Sequence, residues 1–193
     1  MFTGIIETLG KIKKIDVAGS NVDFVVQSDL SKELHIDQSV SHDGVCLTVT
    51  SVGDNEHSIT AINETIQKTN LNSWKVGTVV NIERCMKANG RFDGHIVQGH
   101  VDTTAAVLQA KEEDGSWLFD FELKKEGLMV EKGSVCINGT SLTCFNVGKT
   151  TFSVAIIPYT YEHTNFNQLS KGDEVNIEFD ILGKYIDKLL NKK

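Results

Sequence analysis

Three stretches of the chain combine reactive side chains with spacings that could do chemistry. The first is Gly-Val-Cys-Leu-Thr-Val at 44–49. On a strand Cys46 and Thr48 share one face and Leu47 takes the other, so a thiol and a hydroxyl are presented together. The ordinary reading of such a cysteine is a small packed hydrophobe. The second, Gly-Arg-Phe-Asp-Gly-His-Ile-Val-Gln-Gly-His-Val-Asp at 90–102, carries His95 and His100 with Asp93 and Asp102. Imidazole is the group best suited to acid/base work near neutrality. A metal site competes for these residues. On a strand, however, a His spacing of five sends the two rings to opposite faces, and neither has a carboxylate at helical spacing, so no metal is expected. The third is Asn-Glu-Thr at 63–65, where Glu64 ends an apolar run and is by default a solvated carboxylate.

An internal repeat positions the first and the third. At an offset of 95, residues 38–86 lie over 133–181 without a gap, with identities from Ser39/Ser134 through Gly44/Gly139, Leu47/Leu142, Thr48/Thr143 and Thr65/Thr160 to Asn81/Asn176 and Glu83/Glu178. Cys46 therefore answers to Ser141, and Glu64 to Tyr159. Packing alone would not readily keep a thiol–hydroxyl pair in one copy and a hydroxyl pair, Ser141 and Thr143, in the other. Inward polar atoms need partners, and a ligand could be one. The chain's one proline, Pro158, is the counterpart of Asn63, so both copies bend there.

Each copy reads as short β-branched and apolar runs punctuated by Gly, Asn and Asp. In the first copy these are 10–15, 22–26, 39–42, 46–52, 58–62 and 79–83. Six short strands in about 90 residues suit a small closed barrel. The fold expected is all-β: two tandem six-stranded Greek-key β-barrels, 1–92 and 93–182, plus a short C-terminal helix at 183–193. Brief helices are predicted at 30–34 and 64–71. The helical stripe Ile181, Leu182, Tyr185, Ile186, Leu189 and Leu190 has no partner in the first copy, and it packs on its own barrel or makes an oligomer contact.

Composition narrows the function. With 19 Lys plus Arg against 26 Asp plus Glu, the net charge of −7 argues against nucleic acid and against an anionic membrane surface. No apolar run approaches the roughly 20 residues of a membrane span. The N-terminus lacks a secretory pattern, so a cytoplasmic location is expected. Four cysteines, at 46, 85, 136 and 144, show no zinc or dithiol spacing. There is no phosphate-binding loop, dinucleotide fingerprint or Gly-x-Ser-x-Gly elbow.

Six blocks, namely Met-Phe-Thr-Gly-Ile-Ile-Glu at the start, Gly-Val-Cys-Leu-Thr-Val, Asn-Glu-Thr, Gly-His-Ile-Val-Gln-Gly-His-Val-Asp, Asn-Gly-Thr-Ser-Leu-Thr and Lys-Gly-Asp-Glu-Val-Asn-Ile-Glu, together resemble the riboflavin synthase family of tandem-barrel type over nearly the whole chain. The resemblance implies a dismutation in which two molecules of 6,7-dimethyl-8-ribityllumazine exchange a four-carbon unit, giving riboflavin and 5-amino-6-(D-ribitylamino)uracil, the last step of riboflavin biosynthesis. It implies no cofactor, a homotrimer held partly by C-terminal helices, and it admits association with lumazine synthase. Carried over by resemblance, the first-barrel pocket maps onto Gly4, Ile5 and Ile6; Cys46, Leu47 and Thr48; Thr60, Ala61, Ile62, Asn63, Glu64 and Thr65; and Gly99, His100 and Val101. The second maps onto Ser141, Leu142 and Thr143 with Ala155, Ile156, Ile157, Pro158, Tyr159 and Thr160, and with Lys132 beside it. The implied active residues are Ser39, Cys46, Glu64 and His100 from one barrel, and Ser141, Thr143 and Asp180 from the other. His100 is the first choice for acid/base work. The rival reading is a non-catalytic lumazine- or flavin-binding antenna protein.

Overall fold

The computed structural model describes residues 1–191. Twelve strands form two closed antiparallel barrels. The first holds β1 (Thr8–Ala18), β2 (Asn21–Gln27), β3 (Ser39–His42), β4 (Val45–Val52), β5 (Glu56–Ala61) and β6 (Val79–Arg84), in the order β1-β2-β5-β4-β3-β6. The second holds β7 (Thr103–Glu113), β8 (Ser116–Leu123), β9 (Ser134–Ile137), β10 (Thr140–Phe145), β11 (Thr151–Ile156) and β12 (Glu174–Phe179). Its order is the same when each strand is shifted by one repeat. Alternation along the strands drives the closure. In β5, His57, Ile59 and Ala61 point in and are buried while Ser58 and Thr60 face out, so a one-residue slip would expose the core.

The helical expectations change in detail. The stretch 64–71 is a short helix, α1 (Asn63–Lys68), broken at Thr69. That residue is extended, and its side-chain oxygen accepts from Leu71 N to start a separate 3₁₀ turn, Asn70–Ser73. The hydroxyl also donates to Thr65 O at 2.7 Å, so it closes one helix and caps the next turn. Similarly 30–34 is a 3₁₀ turn, Asp29–Glu33, capped by Ser28. In the second copy α2 (Pro158–His163) begins on the chain's proline, whose fixed φ suits a first helical turn. The final helix, α3 (Ile181–Leu190), is capped by Asp180 and so begins just before the expected boundary.

The β3–β4 and β9–β10 turns are Asp43-Gly44 and Asn138-Gly139, all four residues at positive φ, as a tight two-residue hairpin demands. They meet each other. A Cβ on Gly44 would lie 2.7 Å from Gly139 N, and one on Gly139 would lie 2.9 Å from Gly44 N. Around this contact a buried amide network joins the barrels. Asn81 Nδ2 donates to Asn138 O and Asn165 Oδ1, and Asn176 Nδ2 donates to Asp43 O and Asn70 Oδ1, all between 2.8 and 2.9 Å. Asn70, Asn81, Asn165 and Asn176 are identities of the repeat and Asn138 answers to Asp43, but nothing in their spacing marks them as the seam.

Candidate functional site

Two extended straps build the site. Residues 2–6 and 97–101 pair with one another through Phe2 and Val97, whose N–H groups donate across at 2.7 and 3.1 Å. Each strap then lies on the barrel formed by the other repeat. Cys46 N donates to Gly99 O at 2.9 Å, and Ser141 N donates to Gly4 O at 2.8 Å. Gly99 and Gly4 both have φ near +80°, and a Cβ on either would come within 2.6 Å of the residue beneath it. Only glycine fits at these crossings.

This exchange corrects one sequence expectation. Gly4 belongs to the second-barrel side, over Ser141, and Ile6 packs near Gly139; neither lies in the first-barrel pocket. Repeat arithmetic cannot show a swap, because it places each strap in its own copy. Ile5 lies half-exposed at the edge of a separate cleft with Glu7, Glu33 and Arg84.

On the first barrel a cleft of about 210 Å³ gathers Cys46, Glu64, Thr65, Gly99, His100 and Val101, with Val45, Lys68 and Thr69. Three residues 54 positions apart at the extremes, Cys46, Glu64 and His100, are thus brought together. Burial pushes the Cys46 thiol up, and the Ser39 side chain beside it works the other way. The group therefore enters neutral pH as a thiol and not as a standing thiolate. Glu64 is exposed on α1 and accepts from Lys68 Nζ at 2.6 Å, which holds its carboxyl below the usual range. His100 is exposed at the rim. Not every neighbour in sequence joins. The Thr60 hydroxyl is bound to Asp23 at 2.5 Å, Leu47 and Ala61 face the core, Ile62 is exposed and Asn63 opens α1, while Thr48 lies on the outer face opposite Ser39.

On the second barrel Ser141 Oγ lies 2.7 Å from His95 Nδ1. Burial lowers the His95 pKa, and the nearby Asp180 carboxylate acts in the opposite sense. Burial thus favours the neutral ring, and its Nε2 is buried with no hydrogen-bond partner among the described residues. Asp180 also caps α3 through Leu182 N at 2.9 Å. Thr143 faces out from β10 across from Ser134, and Leu142 is half-buried against the core. Tyr159 stacks on His163 at 4.0 Å, and Ile157 and Ala155 are exposed whereas Ile156 is buried. Pro158 and Thr160 lie in α2. Lys132 places its ammonium 4.9 Å from the Phe145 ring centre.

The sequence offers His95 for acid/base work but not its pairing with Ser141. The strand argument fails because 90–102 is irregular, with one bridge at Val97. His95 also has no counterpart in the first copy, since subtracting 95 leaves no residue. Asp102 pairs with Lys184 at 2.5 Å and His95 with Ser141. Among the described residues no group of three or more His, Cys, Asp or Glu could hold a metal ion, and no helix is long and apolar enough to cross a membrane.

Two buried carboxylates were also overlooked. Glu83 accepts from Thr3 N, Thr3 Oγ1 and Gly4 N at 2.7–3.0 Å. Glu178 accepts from Gln98 N, Gly99 N and His100 N at 2.7–2.9 Å. Burial raises both carboxyls, and these N–H bonds oppose it.

The lumazine binding domain family matches residues 3–85 and again 98–180. Curated relatives include the riboflavin synthase of Bacillus subtilis (strain 168), 38% identical over 100% of this chain and 91% of its own length. That of Saccharomyces cerevisiae is 36% identical over 97% of this chain and 85% of its own. Among solved structures, LumP complexed with 6,7-dimethyl-8-(1'-D-ribityl) lumazine superposes with a TM-score of 0.85 at 22% identity, covering 93% of this chain and 99% of that one, a likeness of fold. With its two lumazine binding domains and its full-length match to these enzymes, the chain belongs to the riboflavin synthase family.

Proposed function

We infer that the chain is a riboflavin synthase, dismuting two molecules of 6,7-dimethyl-8-ribityllumazine into riboflavin and 5-amino-6-(D-ribitylamino)uracil. The observation that carries this is the pair of unlike sites at equivalent places: a Cys46–Glu64–His100 cleft on one barrel and a Ser141–His95 pair on the other. One molecule gains the four carbons that the other loses. Atoms and electrons balance with no oxidant, reductant or water.

The protein must hold two rings in register, which alone can supply about 7–11 kcal/mol of the barrier. It must also move protons, with the 7-methyl group as the acid. At the first site His100 is the exposed base at the rim, and the Cys46 thiol offers a proton and a polarisable sulfur to the ring above it. At the second, a neutral His95 accepting through Nδ1 frees the Ser141 oxygen to approach an electrophilic ring carbon. Incubating the chain with the lumazine alone tests the reading: riboflavin absorbance should appear without additives. Ligand binding with no turnover would instead mark an antenna protein.

The full reading is a homotrimer acting in the cytoplasm, with the first barrel of one chain facing the second barrel of a neighbour. It is supported by α3, whose Leu182, Tyr185, Ile186, Leu189 and Leu190 are all more than half exposed, and by four free thiols that suit a reducing compartment. Removing residues from Lys184 onward should leave both barrels folded while specific activity falls on dilution. Full activity from a demonstrably monomeric truncation would place both lumazines within one chain.

A further inference from the structure

We infer that Glu178 and Glu83 are positioning residues that act across the barrels: Glu178, on the second barrel, sets the first-barrel site, and Glu83, on the first barrel, sets the second. Glu178 collects three consecutive N–H groups, from Gln98, Gly99 and His100, on its two oxygens. It is 2% exposed, so water cannot replace those bonds. The segment it grips is the one whose Gly99 carbonyl takes the Cys46 N–H and whose next residue puts His100 into the Cys46 cleft. Glu83 does the same for Thr3 and Gly4, and the Gly4 carbonyl takes the Ser141 N–H.

Among the described residues nothing else holds the 98–100 backbone so firmly. Strap to barrel there is one bond, Cys46 N to Gly99 O, whereas strap to Glu178 is three charge-assisted bonds. Burying a carboxylate is costly, and a strand residue packed beside Phe179 and Cys136 would by default be apolar. Its presence at the same place in both repeats fits a clamp that both sites need. The consequence is reciprocal. Each site is shaped by a strap rooted in the other repeat, so damage to one barrel appears at the other barrel's site.

This rests on the reading of the Cys46–His100 cleft as a reaction site, but its primary readout requires no turnover. In the full-length chain, Glu178→Gln keeps the shape while removing the charge and turning one acceptor into a donor. Alkylation of Cys46 by iodoacetamide, followed by peptide mass mapping so that Cys85 is counted separately, should speed up about tenfold as the strap loosens. A pH–rate profile separates easier access from an altered thiol pKa. Glu83→Gln should leave the Cys46 rate at the wild-type value. In turnover, Glu178→Gln should lower kcat about tenfold with KM within about threefold, because His100 is misplaced more than the ligand is released, and Glu178→Asp, which keeps the charge, should fall between. A folded Glu178→Gln with wild-type Cys46 reactivity overturns the inference, as does equal acceleration by Glu83→Gln. If Glu178→Gln does not fold, hydrogen exchange of the wild-type chain decides: amides 98–100 should exchange as slowly as the β12 ladder, and loop-like exchange overturns the clamp. A wild-type chain inert toward the lumazine would sink the catalytic reading and leave these thiol and exchange results standing.

Discussion

The two barrels share a strand order and a seam, yet three equivalent regions have gone separate ways. At the sites, Cys46, Glu64, Lys68 and His100 on the first barrel stand where the second has Ser141, Tyr159, His163 and Ile5. At the barrel ends, Arg84 binds Glu7 and Glu33 at 2.5 and 2.9 Å, lining a charged cleft of about 440 Å³. The same location on the second barrel is an apolar trough of about 470 Å³ between Leu128, Met129 and Val130 and the helix residues Leu182, Ile186 and Leu190. In the cores, His42 and His57 replace what are Ile137 and Phe152 in the second copy. The difference teaches that a duplicated barrel tolerates new chemistry wherever the backbone ladder does not depend on it. What stays identical is what closes the barrels on each other: the turn glycines, the seam asparagines and the two clamp glutamates.

The largest effect should come from erasing the chemical difference between the sites. Cys46→Ser gives the first barrel the second barrel's residue in a strand whose backbone contacts do not change. If the thiol acts in the transition state, kcat should fall about 10²-fold or more with little change in KM. Steady-state kinetics on the lumazine checks this. Unchanged turnover would return Cys46 to a packed thiol and remove the functional meaning of the Cys46/Ser141 divergence.

The core comparison can be broken by pH. His57 Nε2 lies 2.8 Å from His42 Nε2, and its Nδ1 lies 2.8 Å from Ser31 Oγ, so one proton bridges two fully buried rings. Burial lowers the His57 pKa to about 4 and that of His42 well below its ordinary value. Groups whose folded pKa is depressed favour the folded state above the unfolded pKa near 6.5 and destabilise it as pH falls toward the folded value. For His57 alone this is about 3 kcal/mol by pH 4. Denaturant unfolding from pH 7 to 4 should show that loss in the wild type. It should be much smaller in Ser31→Ala/His42→Ile/His57→Phe, which installs the second barrel's core residues and removes the orphaned hydroxyl. Parallel pH curves for the two proteins would mean that the pair contributes nothing to acid sensitivity.

How far the sequence carried these features follows from where the information lies. The repeat and the alternating apolar runs announced two six-stranded barrels because strand register and core burial are local, periodic properties. The Cys46–Glu64–His100 grouping was legible through family blocks. The strap exchange was not, because whether residues 2–6 lie on their own barrel or on the other depends on contacts such as Gly4 with Ser141 that no spacing encodes. The pairing of His95 with Ser141 escaped for a related reason: His95 belongs to the linker between the repeats, where neither offset nor period applies. The clamp glutamates were visible as the identity Glu83/Glu178, but an acidic residue in a strand reads as surface until its three donors are seen.

The smallest expected effect sharpens the comparison at the seam, where one position breaks the symmetry. Asp43 Oδ1 accepts from Asn81 N at 2.7 Å as Asn138 Oδ1 accepts from Asn176 N at 2.8 Å, and it accepts from Asn165 Nδ2 as well. Complete burial raises the Asp43 pKa to about 8, the hydrogen bonds from Asn81 and Asn165 opposing it, so the carboxyl is protonated in the fold at neutral pH. Here the sign is opposite to that of the histidines. As pH climbs from the unfolded carboxyl's range near 4 to about 8, the unfolded chain gives up a proton that the folded chain keeps, and stability declines; above 8 the penalty is constant. Asp43→Asn keeps the accepting oxygen and removes the titration. It also brings amide protons that need acceptors, which offsets part of the gain. Tm at pH 7 should rise by a few degrees, about 1 kcal/mol for a chain of this size, with no difference between the proteins at pH 4 beyond the amide's own cost. A variant that is less stable at pH 7 than at pH 4, relative to the wild type, would show instead that the ionised Asp43 is a favourable partner of the seam amides.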